Sequence, residues 1–155
     1  MKNLNIGHLD RNDLNIIETL SVDGRLTVTE LAKRVGLSKT PCQVRLKKLI
    51  EHGYITGFKA VINYQLLDIG HVAFAEVKLI DTRQKALEEF NEAVQDIREV
   101  EQCHMIAGSF DYLLKVRTRD INAYRHVLGE RISSLPHVAS SSTFVAMQAV
   151  KESGG

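Results

Sequence analysis

The segment TVTELAKRVGLSKTPCQVRLKKL, residues 27–49, constrains the fold more than any other part of the chain. Aliphatic residues recur in it at helical spacing, but Gly36 interrupts the pattern and Pro41 follows soon after. Glycine readily adopts the positive φ of a tight turn, and proline is tolerated in the first turn of a helix, where N–H groups lack intrahelical partners. The segment therefore predicts two short helices joined at Gly36.

Capping signals indicate where these two helices begin and end. Thr27 and Glu30 have the T-x-x-E spacing of a capping box. The following helix is capped either by Ser38 or by Thr40, and the sequence does not choose between them. Gly53 is expected to end that helix, whose buried face should hold Cys42, Leu46, Leu49 and Ile50.

Another helix is predicted before this pair. Asp10 is a suitable N-cap, and Gly24 is expected to end the helix in the left-handed conformation. Its buried stripe is expected to include Leu14, Ile17 and Leu20.

Charge is distributed unevenly along the chain. The net charge is +1, but residues 25–59 contain eight basic and two acidic residues, which gives +6 there and −5 elsewhere. Such asymmetry is typical of a protein with one part that meets a polyanion. The alternative is a solvated helix face without a partner.

Three helices with a cationic last helix indicate a helix-turn-helix unit that binds DNA. Thr40 and Gln43 can exchange hydrogen bonds with base edges, while lysine and arginine side chains neutralise phosphates or read guanine. A plain three-helix bundle is the alternative. The polar outer side chains on and beside the last helix are Lys39, Thr40, Gln43, Arg45, Lys47 and Lys48.

The second half of the chain predicts an α+β, ferredoxin-like βαββαβ fold. Residues 54–70 are expected to form a strand and a connector that leave the helical unit. Strand and helix patterns then alternate at residues 71–80 (strand), 82–97 (helix), 100–108 (strand), 111–118 (strand), 120–135 (helix) and 138–150 (strand). Both helices should cover one face of an antiparallel sheet, and apolar residues on the other face favour self-association.

The sequence argues against several other classes of protein. Residues 1–13 contain no signal-peptide core, and no segment has the length and apolarity of a membrane span, so a cytoplasmic protein is expected. Cys42 and Cys103 are expected to be reduced, mostly buried thiols. The six histidines show no metal-ligand spacing, and no cofactor site is predicted. Cys103 and His104 are adjacent on a strand and should point to opposite faces, so an enzyme is not expected.

At its N-terminal end, LDRNDLNIIETLSVDGRLTVTELAKRVGLSKTPCQVRLKKLIEHGYITGF resembles the DNA-binding domain of the leucine-responsive regulatory protein/AsnC family of transcription regulators. EQCHMIAGSFDYLLKV and AYRHVLGERISSLPHV extend the resemblance across the chain. The resemblance implies a helix-turn-helix (winged-helix-like) domain at residues 5–58, a strand-containing linker at 59–70, and a ferredoxin-like effector-binding and oligomerisation domain at 71–150. It also implies homodimers that assemble into octamers or similar rings.

The family resemblance also implies site residues. Those nearest double-stranded DNA would be Arg34, Ser38, Lys39, Thr40, Gln43, Arg45, Lys47 and Lys48. Those around an amino-acid effector would be Met105, Gly108, Ser109, Phe110, Asp111 and Tyr112. For the loop GSFDY, the alternative is an ordinary hairpin turn.

The effector predicted first is proline, followed by leucine or another apolar amino acid. Ser109 and Ala146 depart from the leucine-responsive pattern, and TPCQVRLKKL together with EQCHMIAGSFDYLLKVRTRD is similar to proline-responsive activators of proline dehydrogenase genes. An amino-acid-binding module without DNA binding is an alternative, although it leaves the +6 segment unexplained. A small-molecule enzyme on the ferredoxin-like fold is the other alternative.

Overall fold

The computed structural model describes residues 9–152, which divide into two compact units between Val61 and Ile62. Each unit has its own hydrophobic core. The predicted start of the first domain at residue 5 lies outside the described residues.

The first unit contains helices α1 (Arg11–Val22), α2 (Val28–Val35) and α3 (Lys39–Glu51). The capping box of Thr27 and Glu30 is present, and Gly36 has the left-handed conformation with φ of 72°. Ser38 is the N-cap of α3, but its side chain makes no capping hydrogen bond. The two predicted helices joined at Gly36 are therefore confirmed, and Ser38 rather than Thr40 begins α3.

The buried stripe of α1 differs from the prediction at one position. Leu14 is 53% exposed, whereas Ile16 is fully buried and Ile17 and Leu20 pack against the core. The inward stripe thus runs through Asp13, Ile16, Ile17 and Leu20, at helical spacing i, i+3, i+4 and i+7. The helix is turned so that the Asp13 carboxylate, rather than Leu14, lies inward.

The prediction that Gly24 ends α1 in the left-handed conformation is wrong. Asp23 is the C-cap, in an extended conformation, and its N–H donates to the Thr19 carbonyl. A Cβ atom added to Gly24 would lie 3.3 Å from Cδ1 of Phe58. Glycine at this position therefore allows close packing of the Phe58 ring.

Helix α3 buries Cys42 and Leu49, with Leu46 partly buried beside them. Ile50 was expected on this face but is 45% exposed, because it lies at the edge of the stripe. Gly53, with φ of 78°, follows the helix, and the N–H of Tyr54 donates to the Leu49 carbonyl at 2.9 Å. The predicted end of α3 at Gly53 is confirmed.

The structure has no strand between residues 54 and 70. The only regular element in this range is a 3₁₀ turn, Tyr64–Leu67, so the strand predicted here is not formed. A strand requires a neighbour that exchanges backbone hydrogen bonds with it. β-branched composition alone cannot supply that neighbour.

The second unit has the predicted βαββαβ order. It contains β1 (His71–Leu79), α4 (Gln84–Val94), β2 (Val100–Met105), β3 (Tyr112–Thr118), α5 (Ile121–Val127) and β4 (Val138–Val145). The strands form one antiparallel sheet in the order β2-β3-β1-β4. This is the ferredoxin-like arrangement.

One face of the sheet forms the core of the second unit with α4 and α5. Tyr112 and Phe90 lie in ring contact with centroids 4.2 Å apart, and both are buried. After α5 the chain continues as a π-helical turn, Leu128–Ile132, instead of the uniform helix predicted to residue 135. The wider turn keeps both Val127 and Ile132 buried, five residues apart.

The other face of the sheet mixes apolar and charged side chains. Phe74 of β1 is paired with Phe144 of β4, which is 54% exposed. On β3, Lys115 and Arg117 form ion pairs with Glu101 of β2 and with Glu152, which follows β4. These cations are thus neutralised within the unit.

Candidate nucleic-acid interface and effector loop

The outer surface of α3 carries a stripe of side chains that the first unit does not use for its own packing. Thr40, Gln43, Val44 and Lys47 recur at i, i+3, i+4 and i+7 and are exposed. Buried Cys42 and Leu49 hold the opposite side of the helix. A helix anchored on one side and cleared on the other fits the major groove of DNA, about 12 Å wide.

The sequence prediction of DNA-contacting residues omitted Val44. This side chain is 49% exposed in the middle of the outer stripe. An aliphatic side chain there can contact the methyl group of thymine. Its helical position could have identified it, but the prediction considered only polar side chains.

Arg45 was predicted to contact DNA, but its guanidinium binds two carboxylates at the start of α1. Its Nη1 donates to Oδ2 of Asp10 at 2.6 Å and to Oδ1 of Asp13 at 2.9 Å. The hydrogen bond to Asp13 is the larger cause, and together with the one to Asp10 it raises the pKa of Arg45. The pKa of Asp10 is lowered, mainly because its carboxylate accepts a hydrogen bond from the backbone N–H of Asp13 and, to a smaller extent, because it accepts one from Arg45. Arg45 therefore fixes α3 to α1.

The remaining predicted DNA contacts lie around α3 and on α2. Ser38, Lys39 and Lys48 are exposed. Arg34 on α2 is also exposed and lies 3.7 Å from Asp23, a distance that leaves its guanidinium weakly held. The structure thus groups Ser38, Lys39 and Lys48 with the outer stripe of α3.

The predicted effector loop connects β2 and β3 and depends on Asp111 for its conformation. The N–H of Ile106 donates to the Asp111 carbonyl at 2.8 Å, and the N–H of Asp111 donates to the Val77 carbonyl at 3.0 Å. Oδ2 of Asp111 accepts from the N–H of Leu79 at 2.7 Å. The Asp111 carboxylate therefore serves as the acceptor for the last backbone N–H of β1.

The other predicted effector residues fall into two groups. Tyr112 is buried, its hydroxyl donates to Oδ1 of Asn91 at 2.7 Å, and burial raises its pKa. Met105, Gly108 and Ser109 are exposed, while Phe110 is half-buried. The exposed side chain of Met105 and the exposed loop backbone can meet a ligand, whereas Tyr112 belongs to the core.

Neither thiol is prepared to act as a nucleophile, because one is buried, the other is half-buried, and both have raised pKa values. Burial raises the pKa of Cys42, and it raises the pKa of Cys103 to about 11. Cys103 packs against the core while the adjacent His104 is exposed, which confirms that they point to opposite faces. Residues 9–152 contain no group of three His, Cys, Asp or Glu side chains suited to a metal ion.

Within residues 9–152, no helix has the length and apolarity required to cross a membrane.

Comparison with protein families assigns both halves of the chain. Residues 9–56 match the winged helix-turn-helix DNA-binding family, and residues 72–155 match the Lrp/AsnC ligand binding domain. The first match contains α1, α2 and α3, and the second contains the ferredoxin-like sheet.

Curated relatives and a solved structure agree with this assignment. The chain is 69% identical to the proline dehydrogenase transcriptional activator of Rhizobium radiobacter, covering 94% of each chain. It is 46% identical to the leucine-responsive regulatory protein of Escherichia coli K12, covering 94% of this chain and 88% of the relative. A transcriptional regulator of Neisseria meningitidis, solved in complex with L-Met, has a TM-score of 0.87 at 32% identity, covering 94% of both chains.

Proposed function

The chain belongs to the Lrp/AsnC family of transcription regulators, and we propose that α3 is the helix through which it reads DNA. The observation that carries this proposal is the outer stripe of α3. The side chains of Thr40 and Gln43 are exposed and make no hydrogen bond within the described residues, so their polar groups are free for base edges. Val44 adds an apolar contact, and Lys47 and Lys48 contact phosphates.

Arg45 has a positioning role in this proposal. Because Asp10 and Asp13 hold its guanidinium, it sets the angle of α3 against α1 instead of binding DNA. Ser38 and Lys39, at the start of α3, and Arg34 on α2 contact the sugar-phosphate backbone. The eight predicted residues thus divide into base-reading, phosphate-binding and positioning groups.

The ligand of the second unit is an amino acid, and proline is the first candidate, followed by leucine or another apolar amino acid. This choice is supported by the name of the 69% identical relative, a proline dehydrogenase transcriptional activator, and by the N. meningitidis regulator in complex with L-Met. The binding surface is the exposed part of the loop at Met105, Gly108 and Ser109, beside Phe110. Asp111 and Tyr112 support it from within the fold.

We also propose that the protein works as a homo-oligomer in the cytoplasm. The domains would be residues 5–58 for DNA, 59–70 for the linker and 71–150 for effector binding and assembly. The apolar pair of Phe74 and Phe144 on the uncovered sheet face favours association of two chains, and dimers would assemble into an octamer or similar ring. A ligand shifts such an assembly only by binding one state more tightly than another.

Fluorescence anisotropy with a DNA fragment from upstream of a proline dehydrogenase gene tests this function. The wild type should bind the fragment more tightly than unrelated DNA, and L-proline should change that affinity. Gln43→Ala should lose about 1–3 kcal/mol on the specific fragment and nothing on unrelated DNA, because base contacts alone carry sequence information.

Gln84→Ala, on α4 of the second unit, is the matched control and should bind as the wild type does. Equal losses of Gln43→Ala on both DNAs would show that α3 does not read bases. If L-proline leaves the affinity unchanged while another amino acid alters it, the choice of proline as the effector is wrong, but the proposed DNA-binding role of α3 stands.

A further inference from the structure

The second unit begins with a short 3₁₀ turn that has no buried side chain of its own. This linker turn, Tyr64–Leu67, is closed by local hydrogen bonds. The side chain of Asn63 accepts from the N–H of Leu66 at 3.3 Å, and the N–H of Ile69 donates to the Tyr64 carbonyl at 3.2 Å. These bonds determine the shape of the turn but do not attach it to the sheet.

The ring of Tyr64 provides a contact between the linker turn and β3. The guanidinium carbon of Arg117 lies over this ring, 4.2 Å from its centroid. The same guanidinium donates to the carboxylates of Glu101 and Glu152. Because a guanidinium donates within its own plane, these two partners leave its face for an aromatic ring. Only 9% of the Arg117 side chain is exposed, so this contact lies close to the sheet.

A bulge in β2 directs Glu101 towards Arg117. The register between β2 and β3 shifts between Val100 and Gln102, which makes Glu101 the extra residue. A bulge of this kind changes the direction of a side chain. Next to it, the N–H of Arg117 donates to the Glu99 carbonyl at 2.8 Å. The backbone at this position therefore supports the Arg117 guanidinium from both strands.

Strands β2 and β3 form a hairpin with the predicted effector loop at its tip and Arg117 at its base. The loop ends at Asp111, and β3 begins at Tyr112. Five residue steps from Tyr112 to Arg117 span about 17 Å. The two strands are paired along this length, so the hairpin is a continuous structure between the loop and the linker turn.

We propose that Arg117 is a positioning residue that docks the linker turn on the base of this hairpin and thereby couples the effector loop to the segment preceding it, which leads to the DNA-binding helices. The inference rests on the proposed function of the two units. It requires two states, one with the turn docked on Arg117 and one with the turn released. An amino acid at the loop changes DNA binding through this contact only by binding one of these states more tightly.

Hydrogen exchange of the full chain, followed by mass spectrometry without DNA or ligand, tests the docking. Tyr64→Leu should speed the exchange of amides in residues 62–70 about 2- to 30-fold, because it removes the cation–π contact. Tyr64→Phe keeps the ring and should exchange as the wild type does. Arg117→Gln should also speed exchange, and Tyr64→Leu decides the test if Arg117→Gln, which leaves Glu101 without its partner, fails to fold.

Fluorescence anisotropy with the fragment from upstream of a proline dehydrogenase gene tests the coupling, with the common L-amino acids as probes. In Tyr64→Leu, the ratio of DNA affinities with and without the active amino acid should approach one, while the affinity without it changes by less than about twofold. Arg119→Gln is the matched charge control, since that exposed guanidinium lies 3.4 Å from the adjacent Asp120, and it should respond as the wild type does.

Two results would overturn the inference. Unchanged exchange in both Tyr64→Leu and Arg117→Gln would exclude the docking role, and faster exchange with an undiminished response to the amino acid would exclude the coupling. A wild type whose DNA affinity responds to none of the amino acids contradicts the proposed function itself. In that case the exchange result alone decides whether Arg117 docks the turn.

Discussion

Helix α3 and strand β3 carry the same kind of cationic side chains and use them in opposite ways. On α3, the side chain of Lys47 is 75% exposed and lies 3.7 Å from Glu51. On β3, the side chains of Lys115 and Arg117 are 15% and 9% exposed and are bound by Glu101 and Glu152. The first set is available to a polyanion, and the second is already neutralised by the fold.

We infer from this difference that a cation is available to DNA according to its partners in the fold, and not merely because it is present. A lysine promotes DNA binding by neutralising a phosphate and releasing its counterions. Lys115, held by two carboxylates, has little charge left for that purpose. The same distinction separates Arg45 from Lys47 within α3 itself.

The largest expected effect is the loss of DNA affinity on removing the two exposed lysines of α3, Lys47 and Lys48. For each chain bound to DNA, Lys47→Ala combined with Lys48→Ala should flatten the dependence of log K on log salt by about two units and weaken binding roughly a hundredfold at low salt, since each lysine contacts one phosphate. Anisotropy titrations over a salt series measure this slope. Lys115→Ala is the control, and a comparable change in its slope would remove the distinction between α3 and β3.

An intermediate effect is expected from the polar side chains of the β2–β3 loop. Asp111→Ala should lower the free energy of unfolding by about 1–3 kcal/mol, because the N–H of buried Leu79 loses its acceptor. Ser109→Ala, at an exposed neighbour, should change it by less than about 0.5 kcal/mol. Urea unfolding followed by near-UV circular dichroism reports on buried Tyr112 and Tyr124. Equal midpoints for both variants would show that Asp111 is not structural.

The smallest expected effect is a pH dependence in the second unit. The side chain of Arg83, together with its backbone N–H, lowers the pKa of Asp81 from 3.8 to about 2. Its folded pKa is below its unfolded pKa, so its stabilising contribution is fully present above pH 3.8 and is lost as the pH falls towards 2.

Unfolding at pH values between 4 and 2 measures this contribution, with Asp81→Asn compared with wild type. The difference in stability between the two proteins should shrink as the pH falls. A difference that stays constant over this window would mean that the Arg83 interaction does not depend on the Asp81 charge.

Local features of the fold could be predicted from the sequence because they depend on neighbouring residues. The capping box of Thr27 and Glu30 and the turn at Gly36 each involve residues a few positions apart. The same holds for the alternating burial of Tyr112, Leu114 and Val116 in β3. The order of strands and helices in the second unit follows from such signals. The π-helical turn after Val127 could not be predicted from local signals, because it depends on core packing.

Features that depend on distant partners could not be predicted. Asp13 rather than Leu14 lies on the inward stripe, where its carboxylate accepts from Arg45, 32 residues away. Asp111 binds Leu79 at the same separation along the chain. For the candidate site, the sequence therefore identified α3 and the loop, but could not separate the side chains that are free from those used in folding.

The environments of the two thiols, one buried and one half-buried, have a practical consequence for experiments on this protein. Cys42 is fully buried, and the pKa of about 11 for Cys103 keeps that thiol protonated at neutral pH. A single cysteine introduced at an exposed position should react selectively with maleimide fluorophores. The natural thiols could then be left in place when distance measurements are made between labelled chains.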